Sequence, residues 1–132
     1  MTHGRQAGQS LVEFSLTVGL LMLLAILVAQ VAIYLHYRSS LELATKEGAF
    51  EASLVGHQPG DGETETRQMW TKLEPGGGQI KVSASQEGAL VVVTASGVAP
   101  AILPMPFPPY TSLSVSSRSV HTVERFQPGP NR

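Results

Sequence analysis

Gly8-Gln9-Ser10-Leu11-Val12-Glu13-Phe14 opens a run that stays apolar or uncharged as far as Leu35, and the reading of that stretch decides what the rest of the chain can be. At about 1.5 Å per residue, residues 14–35 reach roughly 33 Å as a helix, enough to cross a hydrocarbon core of ~30 Å. A helix that is apolar on every side needs a large protein or a bilayer around it. With 132 residues in all, the part of the chain after the run suffices for one small domain and not for a core that could swallow it. The rival is a cleaved secretory signal ending at Leu27-Val28-Ala29. The usual apolar region of such signals is about 7 to 15 residues, shorter than this one. The leader also carries only Arg5 and the terminal amine as positive charge.

Glu13 stands at the mouth of the span. A carboxylate in or beside hydrocarbon costs on the order of 3 kcal/mol by insertion scales, so its presence there is a functional signal by default. A plainer role is open to it as well. Ser10-Leu11-Val12-Glu13 fits a capping box, in which the serine and the glutamate satisfy each other's free backbone N–H groups, with the carboxylate near the positive end of the helix dipole. Capping alone does not say why a glycine precedes the serine by two positions, or why an unbroken span begins at once.

Composition narrows the classes further. Ten acidic and nine basic residues leave a net charge of -1, and Lys and Arg nowhere cluster, so nucleic acid is not an expected partner. Cysteine is absent, which removes disulfides, thiolate nucleophiles and most zinc sites. The four histidines, at 3, 36, 57 and 121, have no spacing that sets two on one face of an element, so no metal site is expected. Asp61 is the only aspartate, and Glu63, Glu65 and Glu74 read as the solvated face of a helix. Ser112-Leu113-Ser114-Val115-Ser116-Ser117 lacks a nucleophile-elbow context and alternates as a strand with one wet face does. Gly76-Gly77-Gly78 lacks the lysine and hydroxyl of a phosphate loop. Neither catalysis nor a cofactor is expected.

Beyond the span, residues 36–55 contain no proline and are rich in Ala, Leu, Glu and Lys, so the membrane helix is expected to continue into water. Glu42 and Lys46 stand at i, i+4 in the favourable order. Leu41, Ala44, Gly48 and Ala52 form a narrow stripe of mostly small residues for a neighbouring helix or the folded domain. Gly56-His57-Gln58-Pro59-Gly60-Asp61-Gly62 should break this helix. A second helix is expected over residues 63–74, with Thr66, Met69, Trp70 and Leu73 on one side and Trp70 pinning it to a sheet. From Gln79 the period changes to two. Ile80, Val82 and Ala84 alternate with polar residues, Gln86-Glu87-Gly88 offers a three-residue turn, and residues 89–98 return as a strand. Five prolines within residues 100–109 imply an extended connection. A third strand fits residues 111–124. Leu113 and Val115 read as out of phase with Val120 and Val123, which calls for a bulge near Ser117 or Arg118. Residues 127–132 read as a frayed tail. The expected class is α+β: a long N-terminal transmembrane helix running into a small domain of one short helix and a three-stranded antiparallel sheet. Its divisions are a leader (1–8), a transmembrane helix (9–35), an extracytoplasmic helical extension (36–55) and a C-terminal domain (56–132).

The opening residues resemble the class III signal of type IV pilin-like proteins, which a prepilin peptidase cuts after a glycine and whose fifth mature residue is glutamate. With Gln9 as the first mature residue, Glu13 is the fifth. More narrowly, Gly8 to Phe14 followed by a leucine-rich span is similar to TadE-like pilins or pseudopilins of the tight-adherence (Flp, type IVc) pilus system, and Ala44-Thr45-Lys46-Glu47-Gly48-Ala49 resembles the Ala-Arg-Glu-Gly-Ala type of stretch they carry after the span. Gln30 and Tyr34 occupy a region where such proteins often carry a small or acidic residue and an aromatic, so the family's helix contacts are not carried over. The resemblance implies processing at Gly8 and Gln9, assembly through the helix N-terminus at Ser10, Glu13 and Phe14, and a structural role as minor subunit or assembly factor of an adhesive pilus. The implied partners are membrane lipid, the prepilin peptidase, other pilins and pseudopilins, and the pilus assembly machinery, with oligomerisation through the N-terminal helix.

Basic residues do not fix the orientation, since Arg5 and the amine precede the span and Arg38 and Lys46 follow it. The polar bulk after the span makes a cytoplasmic leader and an exported domain the simpler topology, in the cytoplasmic membrane or on a surface pilus. The alternatives are an unprocessed single-pass protein whose exported domain binds an envelope partner, and a small secreted domain released after Ala29.

Overall fold

The computed structural model describes residues 3–102 and 113–123. Five elements succeed one another: α1 (His3–Ser53), α2 (Pro59–Leu73), β1 (Lys81–Glu87), β2 (Leu90–Ala99) and β3 (Leu113–Thr122). The strands form one antiparallel sheet in the order β1-β2-β3. Both helices pack on the same face of that sheet, α1 across β2 and β3 and α2 across β1. The α+β class expected from the sequence is the observed one.

α1 is a single helix of 51 residues, about 76 Å long. The apolar run and the Ala/Leu/Glu/Lys-rich stretch after it therefore join without a break, as their helix-forming composition predicts. From Gly8 to Ala29 every residue is exposed; from Gln30 on, one side of the helix is covered by the domain. The Leu41, Ala44, Gly48, Ala52 stripe is the covered side, with Leu41 and Ala44 fully buried and Ala52 nearly so. It faces the folded domain.

α2 begins earlier than the sequence suggests. Pro59 occupies the first turn, where its missing N–H costs nothing, and the Asp61 carboxylate accepts the Gln58 N–H at 2.7 Å. This local cap outweighs the helix-breaking content of residues 56–62. Thr66, Met69, Trp70 and Leu73 do lie on the inward side. Gly62 and Gly48 are where the two helices touch. A Cβ at Gly62 would stand 2.6 Å from the Gly48 carbonyl oxygen, and one at Gly48 would overlap Thr66 Oγ1 and stand 2.5 Å from the Gly62 carbonyl oxygen. Only glycine lets the backbones come this close.

The hairpin turns on two residues, Gly88 and Ala89, with Glu87 paired to Leu90, instead of the three residues 86–88. Gly88 alone of the turn carries positive φ, +64°, the pattern of a type II′ turn, whose twist suits the flanking strands. β3 pairs with β2 in one uninterrupted register from Leu113 to Thr122, so the expected bulge near Ser117 or Arg118 does not exist. Val123 shares the inward phase of Leu113 and Val115, and Val120 simply faces outward, 47% exposed. Residue 124 and residues 111–112, at the ends of the expected strand, lie outside the described residues, as do 103–110 of the proline-rich connection and the tail.

The core is Leu41, Ala44, Ala49 and Ala52 from α1, Trp70 from α2, Ile80, and Val82, Val91, Val93, Ala95, Ala99 and Val115 from the sheet. Trp70 pins α2 within the core it shares with the sheet residues: its ring meets Tyr37 of α1 edge to face at 5.7 Å, and its Nε1 donates to the Gly78 carbonyl at 3.0 Å. The lone tryptophan thereby satisfies its N–H while joining both helices and the glycine loop.

Candidate functional site

Two groups of residues have a claim to function: the N-terminal end of α1, and the polar contacts that attach the domain to its second half. At the first, α1 already runs from His3, so Ser10 is an interior residue of the helix and not its cap. The capping box read from Ser10 and Glu13 is not what the helix uses in this state. Helical spacing instead sets Gln9 over Glu13 one turn apart, and Gln9 Nε2 donates to Glu13 Oε1 at 3.3 Å. Glu13's own carbonyl accepts the Thr17 hydroxyl at 2.8 Å. Gly8, Gln9, Ser10, Glu13 and Phe14 are all exposed, Phe14 to 69%. Nothing among the described residues covers them. The arrangement offers a carboxylate and an apolar surface to the surroundings on one continuous helix, with the Gly8–Gln9 peptide bond on its open flank.

The exposed apolar residues continue along the helix, with Leu16, Leu20, Met22 and Val28 among those more than 60% exposed. Gly19 has nothing within 4 Å of where a Cβ would stand. Such a surface, free of charge over residues 14–35, needs lipid or other helices around it. The helix has the length and hydropathy to cross a membrane, with none of that window buried.

The second group shows what sequence reading missed. Glu74, expected on a solvated face, is buried, and its Oε1 accepts the Ser40 hydroxyl at 2.7 Å and the His36 Nε2–H at 2.8 Å. Serine, histidine and glutamate thus come together, but both donors share one carboxylate oxygen. The set ties α1 to the end of α2. Glu63 is likewise structural: its Oε1 accepts the Ala84 N–H at 3.0 Å, and Arg67 Nη1 donates to the Ile80 carbonyl at 3.0 Å, so α2 covers the outer edge of β1. Thr45, fully buried, shares a 2.8 Å hydroxyl contact with Ser117 of β3. No periodicity in the sequence signals these pairings, because each joins elements far apart in the chain.

Among the described residues no group of three or more His, Asp or Glu stands where it could hold a metal ion. His36 goes to Glu74, His57 to Glu51 at 3.2 Å and His121 packs on the Phe50 ring at 6.1 Å. On the exposed flank of α1, Lys46 Nζ lies 2.8 Å from Glu42 Oε1, and the hydrogen bond and charge of Lys46 hold the Glu42 carboxyl below its ordinary value.

Residues 8–49 match the family described as TadE-like protein. No curated protein and no solved structure matches the chain. The matched segment takes in the exposed half of α1 from Gly8 and the covered part through Ala49, and it stops before α2 and the sheet. Over that segment the chain is similar to TadE-like proteins.

Proposed function

We propose that this TadE-like chain is a minor pilin or pseudopilin that serves assembly of a tight-adherence type IV-like pilus: it is made as a precursor in the cytoplasmic membrane and cut by a prepilin peptidase between Gly8 and Gln9. Its domain stands outside the membrane and its leader in the cytoplasm. The single observation that carries this reading is the bare first half of α1, an apolar surface with one carboxylate, Glu13, at its head and the cleavable glycine little more than one turn before it.

Cleavage frees the amine of Gln9, one helical turn from Glu13. In a bundle of such helices the glutamate of one subunit meets the freed amine of a neighbour. In low dielectric that pairing offsets part of the desolvation each charge suffers. An unpaired Glu13 opposes insertion beyond its own depth, whereas a paired one sets the axial stagger between subunits. Phe14 and the leucines after it supply the apolar contact area.

A second reading has one observation in its favour. The Gly8–Gln9 bond lies within a helix that begins at His3, and a peptidase must unwind that turn to reach it, so an unprocessed single-pass protein whose domain binds an envelope partner is the alternative. The test is the mature N-terminus, determined by mass spectrometry on protein from native membranes, with and without Gly8→Ala. A start at Gln9 that disappears in the variant supports the pilin-like route. An intact Met1 in the unmodified protein refutes it in favour of the anchor, and a start at Gln30 refutes both in favour of a secreted domain.

A further inference from the structure

Hydropathy alone carries the apolar run to Leu35, but the domain reaches lower on the helix than that. Gln30 is a polar side chain inside the run, and both ends of its amide are used. Nε2 donates to the Pro100 carbonyl at 3.1 Å, and Oε1 accepts the Ile102 N–H at 2.7 Å. One side chain thus clamps the backbone leaving β2 to α1, five residues before Leu35, or about 8 Å along the axis.

Several features meet at this level. Gln30, Val31, Tyr34 and Leu113 line an open hollow of about 240 Å³ that is almost wholly apolar. Ile102 is 51% exposed and Val31 56%. The chain passes beyond the described residues after Ile102 and returns at Leu113, and the ten residues between, 103–112, carry no charge. Below the clamp, residues 8–29 are bare on all sides and extend roughly 33 Å, enough to cross the hydrocarbon without residues 30–35.

We propose that the membrane boundary lies at Gln30 and that the lower rim of the domain, Ile102 with Val31, Tyr34 and Leu113, is seated in the lipid interface. Backbone polar groups at lipid depth must be satisfied within the protein, and the Gln30 amide does this for the Pro100 carbonyl and the Ile102 N–H. Tyr34 is an aromatic of the kind that collects at the headgroup level. The rim is continuous with the bare helix, so the same bilayer that takes the helix meets Ile102. The inference rests on the single-pass reading of α1 and is independent of cleavage at Gly8.

The chain has no cysteine, so single-site nitroxide labels report without background. In the full chain reconstituted in phosphatidylcholine vesicles, labels at Leu20→Cys, Ile102→Cys and Ser116→Cys are compared for collision with lipid-soluble oxygen and with an aqueous nickel chelate. Leu20, about 15 Å below Gln30 along the helix, is expected deep, Ser116 aqueous, and Ile102 intermediate at headgroup depth. Adding Gln30→Leu should leave Leu20 deep while the Ile102 label gains mobility and shifts toward water. An Ile102 label as aqueous as that at Ser116, with Leu20 deep, overturns the seating while sparing the single-pass reading. An Ile102 depth and mobility unchanged by Gln30→Leu overturns the clamp. Aqueous exposure at Leu20 removes both the membrane reading and this one.

Discussion

Residues 8–29 and residues 30–53 are two stretches of one helix that solve opposite problems. In the first, leucine, valine and isoleucine are spread over every side and all are exposed. In the second, a narrow stripe of alanine, glycine and one leucine is buried while Glu42, Leu43 and Lys46 stay outside. The two glycines make the contrast sharp. Gly19 has open space around it, whereas Gly48 has the α2 backbone where a side chain would be. Hydrophobicity in the first half is therefore addressed to something outside the chain, and smallness in the second half is addressed to the chain's own domain. Apolar content by itself does not reveal which residues form a core.

The severest way to break this contrast is to place a leucine at each glycine. Gly48→Leu forces α2 off α1 and should cost about 3 kcal/mol or more, a fall in the domain's melting temperature on the order of 10 °C or greater. Gly19→Leu should leave thermal unfolding of the domain unchanged, and both are read by calorimetry or circular dichroism in detergent. Of comparable size, Trp70→Ala removes the ring between Tyr37 and the glycine loop and should cost about 3–5 kcal/mol in denaturant unfolding. Glu74→Ala leaves the buried Ser40 hydroxyl without its acceptor and should cost about 1–3 kcal/mol by the same measurement. Glu13→Gln lies in the bare half. It should leave domain stability within about 0.5 kcal/mol of the unmodified protein and, on the proposed pilin route, reduce recovery of assembled pili.

The smallest effect belongs to Glu42 and Lys46. Lys46 lowers the Glu42 carboxyl's pKa in the folded chain, so any contribution is present above the unfolded value of about 4.3 and is lost as the pH falls through the folded one. The pair is exposed and screened. Lys46→Ala should leave the unfolding midpoint unchanged at pH 7, and the acid limb of a pH titration of stability is where a difference between the two proteins would be sought.

What the sequence made legible was periodic. The span, its continuation to the mid-fifties, the buried stripe at 41, 44, 48 and 52, the hairpin and the three-strand count all come from spacing that repeats along the chain, and the structure has them. What escaped was carried by single residues acting across long separations. Glu63 and Glu74 looked like solvent-facing carboxylates because nothing near them in sequence announces Ala84, Ser40 or His36. The bulge in β3 was a misreading of phase: Val120 is an outward valine, which a sheet with one helix-free face tolerates, and Val123 never left the inward set. The start of α2 was hidden by composition, since Pro59 and Asp61 act as a helix start where their types more often mark a loop. For the candidate site, Gly8, Gln9 and Glu13 were singled out by a resemblance to a pilin-type signal, while the direct Gln9–Glu13 contact follows from a helix that begins before them.

α1 has no joint between its bare and covered halves, and this makes the domain's bearing a matter of angular arithmetic. Each residue of an α-helix advances the chain by about 100° around the axis. The side of the bare half that meets a neighbouring helix therefore fixes the compass direction in which the outer face of the sheet looks, tens of ångströms away. Adding one residue to the helix below Gln30 would swing the whole domain by more than a quarter turn, while adding four would return it nearly to its original heading. The count of residues between the bare end and the covered end sets the angular offset between them.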